Sequence, residues 1–202
     1  MASKEPLALL EAAFMEAVRR RGFRRPVEKG AFRPGRTRAS LPASRPTATM
    51  GVMDEARFLE EVSRALESGA DRARKAAAIA SAIRRAGDYR WVGVYEVTEE
   101  EIANLAFDGP GAPAHPRFPI TQGLSGSAVA SGETVVANDV REDPRYLEAF
   151  GSTRSEIIVP VLDRAGKVVG TIDVESEQVN AFSEEDRAAL GRCAAAVVGL
   201  FE

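Results

Sequence analysis

Cysteine and histidine are almost absent from this 202-residue chain, which contains one of each, Cys193 and His115. One cysteine cannot close an internal disulfide or build a cysteine-based zinc site, and a clustered His/Cys metal site is excluded for the same reason. A Ser-His-Asp hydrolase would have to use His115. We therefore expect no metal, no cofactor and no catalytic residues of these kinds.

The chain also lacks long hydrophobic runs and, over most of its length, an excess of positive charge. A membrane-spanning helix needs about 18 to 20 apolar residues, whereas the uncharged stretch at residues 193–201 has only nine. Residues 50–202 carry 16 Lys and Arg against 26 Asp and Glu, a poor match for nucleic-acid phosphates. We expect neither a membrane nor a nucleic acid as partner. Because no secretion signal of the usual form is present, we also expect a cytoplasmic location.

The first 49 residues differ in composition, with 11 Lys and Arg against 4 Asp and Glu. The stretch "PLALLEAAFMEAVRRRGF" can form one amphipathic helix, and the Arg-, Pro-, Ser- and Gly-rich segment after it predicts disorder. One interpretation is a basic arm or a targeting presequence. The other is that translation starts at Met50 or Met53. We predict a basic extension over residues 1–52 and a domain over residues 53–202.

After Met53 the hydrophobic pattern becomes periodic. Helical spacing over residues 54–86, interrupted at Gly69, predicts two helices or one broken helix. "YRWVGVYEV" with "EIANLAF", and "SEIIVPVLD" with "VVGTIDVES", alternate as strands do and predict two hairpins, while "RFPI" and "TVVAND" predict shorter strands. A last helix starts at Ser183, with Asp186 in a capping-box position. This order predicts an α+β fold: an antiparallel sheet with helices from both chain ends on one face.

A glycine-rich stretch, "GLSGSAVASG" at residues 123–132, predicts a short helix that ends at Gly132. Ser125 within it has three interpretations: a nucleophile, a ligand contact beside free N–H groups at the helix start, or a small residue at a tight turn. The nucleophile-elbow pattern requires glycine two residues on either side, and position 127 is serine. We therefore favour the structural role, with ligand contact as the second interpretation.

Three stretches together resemble the GAF domain, a small-ligand-binding module: "GLSGSAVASGETVVANDVREDPRY", "SEIIVPVLDRAGKVVGTIDVES" and "AFSEEDRAAL". The resemblance covers roughly residues 54–201. It implies a GAF-like (profilin-like) six-stranded antiparallel sheet flanked by N- and C-terminal helices, with ligand space held by loops on the other face.

Within this family, "YRWVGVYEV", "LAFDGP" and "SEIIVPV" are most similar to the free methionine-(R)-sulfoxide reductases. The cysteines of those enzymes correspond here to a position near Pro113, to Ser125 and to Ala149, and none of these is cysteine. Sulfoxide reduction by this route needs a thiolate nucleophile and a resolving thiol. We therefore do not expect the reductase activity, which stays the alternative interpretation.

Acidic and aromatic residues are the candidate ligand contacts. Asp173 and Glu175 share one face of a predicted strand, and Trp91 and Tyr95 share a face of another. The resemblance implies that these acids and Glu156 hold an ammonium group. Three carboxylates in one cleft would repel one another and raise at least one pKa. The alternatives are that the acids bond only to backbone or loop groups and that the aromatic residues belong to the core.

These observations and the resemblance together predict a stand-alone module that senses or binds a small polar or amino-acid-like molecule and serves a signalling or regulatory role. The outer helices, residues 54–86 and 183–201, would form a homodimer interface. The expected ligand contacts are Trp91, Tyr95, Ser125, Glu156, Asp173 and Glu175.

Overall fold

The structure, a computed structural model, describes residues 55–202, with side chains from residue 58 onward. The predicted basic extension over residues 1–52 lies outside the described residues. Within the described part, the fold follows from two hairpins and from helices that cover one face of the sheet they form.

Two separate helices begin the described chain, α1 (Glu55–Glu67) and α2 (Arg72–Gly87). Asp71 caps the start of α2, because its side chain accepts a hydrogen bond of 2.8 Å from the Arg74 N–H. Only the first turn of a helix has N–H groups without a partner inside the helix, so a side-chain cap at Asp71 marks the start of a separate helix. Of the two predictions for this region, two helices on either side of Gly69 is therefore correct.

Six strands in the described chain form one antiparallel sheet. They are β1 (Trp91–Val97), β2 (Glu101–Asp108), β3 (Arg117–Pro119), β4 (Val135–Ala137), β5 (Ser155–Leu162) and β6 (Val168–Ser176). Their order across the sheet is β3-β2-β1-β6-β5-β4. Both predicted hairpins, β1–β2 and β5–β6, are present, and they join along the antiparallel pair β1–β6 at the centre.

Two further helices complete the fold, α3 (Gly123–Ser131) and α4 (Glu184–Ala196). The start of α4 is a capping box: Asp186 N–H donates to Ser183 Oγ over 3.2 Å, and Ser183 N–H donates to Asp186 Oδ2 over 2.8 Å. Helix α4 is shorter than predicted, because the chain tightens into a 3₁₀ turn at Val198–Leu200.

The main hydrophobic core lies between the sheet and helices α1, α2 and α4. Alternate residues of the central strands face these helices, as their period of two requires. The principal buried side chains are Phe58, Val62, Ile79, Ile83, Val92, Val94, Ile157, Val159, Ile172, Val174, Leu190 and Cys193. The opposite face of the same strands is therefore left for α3, the long loops and the candidate site. These features confirm the predicted α+β, GAF-like fold.

Gly126 in α3 allows a close approach between two backbone segments. A methyl group at this position would lie 2.6 Å from the carbonyl carbon of Thr121 and 2.8 Å from the carbonyl oxygen of Ile120. By contrast, a methyl group on Gly191 of α4 would have no heavy atom within 4 Å outside its own helix turn. Gly126 and Gly191 therefore differ in the space available for a side chain.

We predict that Gly126→Ala and Gly191→Ala change stability in opposite directions. Both substitutions gain helix propensity, worth up to about 1 kcal/mol. At position 126 the overlap with backbone atoms costs about 1–3 kcal/mol and exceeds that gain. Urea unfolding of both variants measures the difference, and a Gly126→Ala protein as stable as Gly191→Ala would contradict the close packing of α3.

Candidate functional site

Three carboxylates lie on the sheet face opposite the helices. Asp173 and Glu175 of β6 alternate with Ile172 and Val174, which point into the main core, as the sequence predicted. The antiparallel register places Glu156 of β5 directly opposite Glu175. All three acidic residues are buried, with 7% or less of each exposed.

Burial raises the pKa of all three carboxyl groups. For Glu156 and Asp173, repulsion from the other carboxylates raises the pKa further. The pKa of Glu175 is raised to about 7 by burial, against the opposing effects of a hydrogen bond from Thr153 and the charge of Arg90. The sequence predicted a raised pKa from repulsion, but burial is the larger cause.

Two oxygens of this cluster, Asp173 Oδ1 and Glu175 Oε1, are buried and make no hydrogen bond with the described residues. The second oxygen of Glu175, Oε2, accepts a hydrogen bond from the Thr153 hydroxyl. A buried acceptor without a partner costs about 1–3 kcal/mol, so such atoms are uncommon in structural roles. The cluster can therefore accept hydrogen bonds from donors outside the described chain.

A small cavity adjoins the carboxylates. Its lining includes four of the predicted contacts, Tyr95, Ser125, Glu156 and Asp173. Phe118 of β3, Leu124 of α3 and the loop residues His115, Leu147 and Ala149 also line it. Its volume is about 20 Å³, which has room for about one water molecule. The structure thus brings together residues from β1, α3, β5 and β6 that are far apart in the sequence.

Trp91 and Glu175, the other two predicted contacts, do not line this cavity. Trp91 is fully buried, and its indole N–H donates to the Gly111 carbonyl oxygen over 3.0 Å. Its ring packs against Phe107 and Phe150, with centroids 6.0 and 5.5 Å away. Trp91 therefore holds the loops around the site in place, and its contact with a ligand stays a prediction.

Ser125 lies in the first turn of α3 and is buried against the cavity. The N-cap residue Gln122 makes no side-chain hydrogen bond to the helix start, so it leaves the first-turn N–H groups uncapped. These groups favour carbonyl or anionic oxygens. The geometry is consistent with both the structural interpretation and the ligand-contact interpretation of Ser125.

The positions that correspond to the reductase cysteines meet at this cavity. Ser125 and Ala149 both line it, as does His115, two residues after Pro113. The single thiol of the chain, Cys193, is buried in the main core on the other face of the sheet. The resemblance implies thiol chemistry at these positions, but the one thiol of the chain lies elsewhere.

Sequence reasoning missed several residues around the site, notably Arg90, Thr153 and Phe150. Arg90 precedes β1, and the other two lie in the segment before β5, where no hydrophobic period exists. Arg90 donates to Glu177 Oε1 and Ser152 Oγ, each over 2.7 Å. No local pattern signals such contacts, because they depend on how the loops pack over the sheet.

Two further classes of site can be assessed over residues 55–202. No group of three or more His, Cys, Asp or Glu side chains in this range has an arrangement that could hold a metal ion. None of the helices in this range has the length and apolar character needed to cross a bilayer.

Comparison with known proteins identifies the family. A GAF domain family model matches residues 53–199, so the chain belongs to the GAF domain family. The chain is similar to GAF domain-containing protein A of Dictyostelium discoideum, with 32% identity over 109 residues, which are 54% of this chain and 67% of that protein. It is also 32% identical over 109 residues to the free methionine-R-sulfoxide reductase of Saccharomyces cerevisiae, covering 53% of this chain and 60% of that protein.

Solved structures show the same relationship. The free methionine-R-sulfoxide reductase of Neisseria meningitidis, solved in complex with its substrate, is 30% identical, with a TM-score of 0.65 over 80% of this chain and 93% of that chain. The match to the two curated relatives spans only 60% to 67% of their length. The resemblance read from the sequence, to GAF domains and to this group of reductases, is confirmed.

We predict that Glu175→Gln weakens the dependence of stability on pH. The folded-state pKa of Glu175 is about 7 against an ordinary value of 4.5, so the folded protein holds a proton that the unfolded chain releases. Stability from this group is therefore full below about pH 4.5 and is lost as the pH rises through about 7. From pH 5 to pH 8 the variant should lose less stability than the parent, by on the order of 2–3 kcal/mol.

Glu177→Gln is the matched control for this measurement. A hydrogen bond from Arg90 lowers the pKa of Glu177, so its contribution is present at neutral pH and disappears on acidification. Urea unfolding of the parent and both variants at several pH values measures the two opposite trends. The stability contributed by Glu175 falls as the pH rises, whereas that contributed by Glu177 falls as the pH drops. Parallel pH profiles for the parent and Glu175→Gln would contradict the raised pKa.

Proposed function

We propose that this GAF domain binds a small polar molecule with a cationic head, of the amino-acid type, at the carboxylate cavity. The observation that carries the proposal is the pair of buried, unpartnered oxygens, Asp173 Oδ1 and Glu175 Oε1, one of them on a residue that lines the cavity. An ammonium group supplies three N–H donors and a positive charge: it could donate to Asp173 Oδ1, and its charge would offset the repulsion within the cluster, including that from Glu175 behind it.

The rest of the cavity suits the remainder of such a ligand. The start of α3 at Gly123–Ser125 offers backbone N–H groups for a carboxylate or carbonyl oxygen. Tyr95 and Phe118, with ring centroids 6.0 Å apart, and Leu124 supply apolar surface. GAF relatives support a binding role, and one similar reductase was solved with its substrate. Tyr95, Ser125, Glu156 and Asp173 are the proposed contacts, with Trp91 and Glu175 behind them.

A thermal-shift screen of the full chain tests this proposal. We expect an amino acid of the methionine sulfoxide type, at millimolar concentration, to raise the melting temperature because it binds the folded state alone. A concentration of 100 times Kd corresponds to about 5 °C or more for a domain of this size. The N-acetyl derivative lacks the ammonium group and should give no shift.

Two variants make the screen specific for the acid cluster. Asp173→Asn removes a cavity carboxylate and should abolish the shift, whereas Glu133→Gln alters an exposed carboxylate beyond α3 and should retain it. An amino-acid panel that shifts no melting temperature, or shifts both variants equally, would count against binding at the carboxylates.

The second candidate function is reduction of free methionine-(R)-sulfoxide. It is favoured by the similarity to such enzymes and by the cavity formed at Ser125 and Ala149. Neither residue can act as the thiolate that attacks sulfur or the thiol that resolves the intermediate. We therefore place the protein among the binding modules.

A turnover assay distinguishes the two functions. With free methionine-(R)-sulfoxide and a thiol reductant, we expect no turnover above the reductant-only blank. Clear turnover that disappears in Glu175→Ala would overturn the binding-module proposal in favour of the enzyme.

We further propose that the signal passes through a homodimer formed by α1, α2 and α4. Among residues 58–202, Val179 is the most exposed large hydrophobic side chain, at 44%. Such an interface would therefore depend on polar contacts and on partly buried apolar side chains. Sedimentation velocity of the full chain should show a dimer, and a monomer at tens of micromolar would refute this arrangement. The cytoplasmic location also stays a prediction, which cell fractionation can check.

A further inference from the structure

The cavity at the carboxylates is too small for the ligand class proposed above. Its volume of about 20 Å³ accommodates about one water molecule, whereas an amino acid has several times that volume. Movement of part of the cavity wall would make room for such a ligand. The central strands cannot supply this movement without breaking the sheet.

Two parts of the cavity wall have no regular structure and could move without breaking the sheet: the loop before β3, which contains His115, and a segment before β5. Leu147 and Ala149 line the cavity and belong to residues 146–153, here called the cover segment. This segment lies between β4 and β5 and contains no helix or strand. Leu147 also closes over the start of α3, since a methyl group on Gly123 would lie 3.4 Å from its Cβ.

Arg90 makes polar contacts from outside the segment to its second half, as Arg154 and Glu175 also do. Its Nη2 donates to Ser152 Oγ over 2.7 Å, and its guanidinium carbon lies 5.1 Å from the centroid of the Phe150 ring. On its other side, Nε donates to Glu177 Oε1 over 2.7 Å, which anchors Arg90 just beyond the end of β6. The Phe150 ring is thereby held between Arg90 and Trp91.

The cover segment is also connected to the acid cluster. The Thr153 hydroxyl donates to Glu175 Oε2, and the backbone N–H of Thr153 donates to the Phe150 carbonyl oxygen over 3.1 Å. A displacement of Phe150 would therefore be transmitted to a group beside the carboxylates. The cover segment and the acid cluster therefore share a hydrogen bond through Thr153.

We propose that the cover segment opens to admit the ligand and that Arg90 is the positioning residue that holds it closed through Phe150 and Ser152. The ligand's part in this inference rests on the proposed function. The opening itself does not, because the contacts that hold the segment exist without a ligand. Cation–π and hydrogen-bond contacts of a partly exposed arginine are weak enough to break reversibly while the sheet stays intact.

A buried reporter thiol measures the opening directly. Ser125 is 5% exposed and lines the cavity beside the cover segment, so in Ser125→Cys alkylation of the new thiol should be slow while the segment is closed and faster when it opens. The natural thiol of Cys193 is 1% exposed in the opposite core. Iodoacetamide labelling followed by peptide mass spectrometry separates the two cysteines, and each rate refers to the full chain without ligand.

The test compares Arg90→Met with Arg72→Met in this background. Arg72 makes the same kinds of contact elsewhere: it lies 5.4 Å from the Phe201 ring centroid and pairs with Glu96 over 2.7 Å. We expect Arg90→Met to increase labelling at position 125 about tenfold, the effect of losing one cation–π contact and one charge-assisted hydrogen bond. Arg72→Met should leave the rate unchanged.

The direction of the effect excludes a purely electrostatic cause. Removing a nearby positive charge raises the pKa of a thiol and slows its alkylation, which is opposite to the expected result. Equal rates in Arg90→Met and its parent would overturn the proposal. So would a parent rate as fast as that of the urea-unfolded chain, since the segment would then not close the cavity.

A second variant keeps the test decisive if Arg90→Met fails to fold by circular dichroism. Phe150→Leu keeps an apolar side chain but removes the ring that Arg90 covers, and it should also accelerate labelling; an unchanged rate would overturn the proposal. The labelling experiment and the ligand screen test different claims, so each can fail without the other. A thermal shift without an effect of Arg90 refutes the closure role alone, and an effect of Arg90 without a thermal shift refutes the ligand class alone.

Discussion

The antiparallel pairing of β1 with β6 is the constraint on which the rest of this structure depends. It joins two hairpins into one sheet and gives each central strand two different faces. On β6, Ile172 and Val174 fill the core under the helices, while Asp173 and Glu175 point to the loop side. A slip of one residue would exchange these sets and bury the carboxylates among the helices. The core and the site are therefore determined by the same register.

The acid cluster is held in an environment that penalises its charge. Burial and mutual repulsion raise the pKa of Glu156 and Asp173, and two oxygens of the cluster have no hydrogen-bond donor among the described residues. Such an arrangement weakens the folded state at neutral pH, and strongly perturbed groups of this kind concentrate at functional sites. A cationic ligand would remove both penalties at once, which links the stability of the domain to its proposed role.

Likeness to the reductases extends to the scaffold, but the chain has no thiol at the cavity. Ser125 and Ala149 meet at the cavity wall, and the thiol of Cys193 lies across the sheet. Function depends on the residues of a site more than on the fold that carries them. The GAF scaffold by itself therefore does not determine what chemistry the cavity of a given member supports.

The sequence by itself determined the features that depend on neighbouring residues: the helix break before Asp71, the two hairpins, the capping box at Ser183, and the shared face of Asp173 and Glu175. The family resemblance added Glu156 and the expected ligand contacts. Only the tertiary structure decided that Tyr95, Ser125 and Asp173 line one cavity while Trp91 does not, that burial dominates the raised pKa values, and that Arg90, Phe150 and Thr153 surround the site. The local features could be predicted because hydrophobic periodicity and helix capping involve residues that are close together in the sequence. Contacts between irregular loops and the sheet have no period, and they arise only when distant segments pack together.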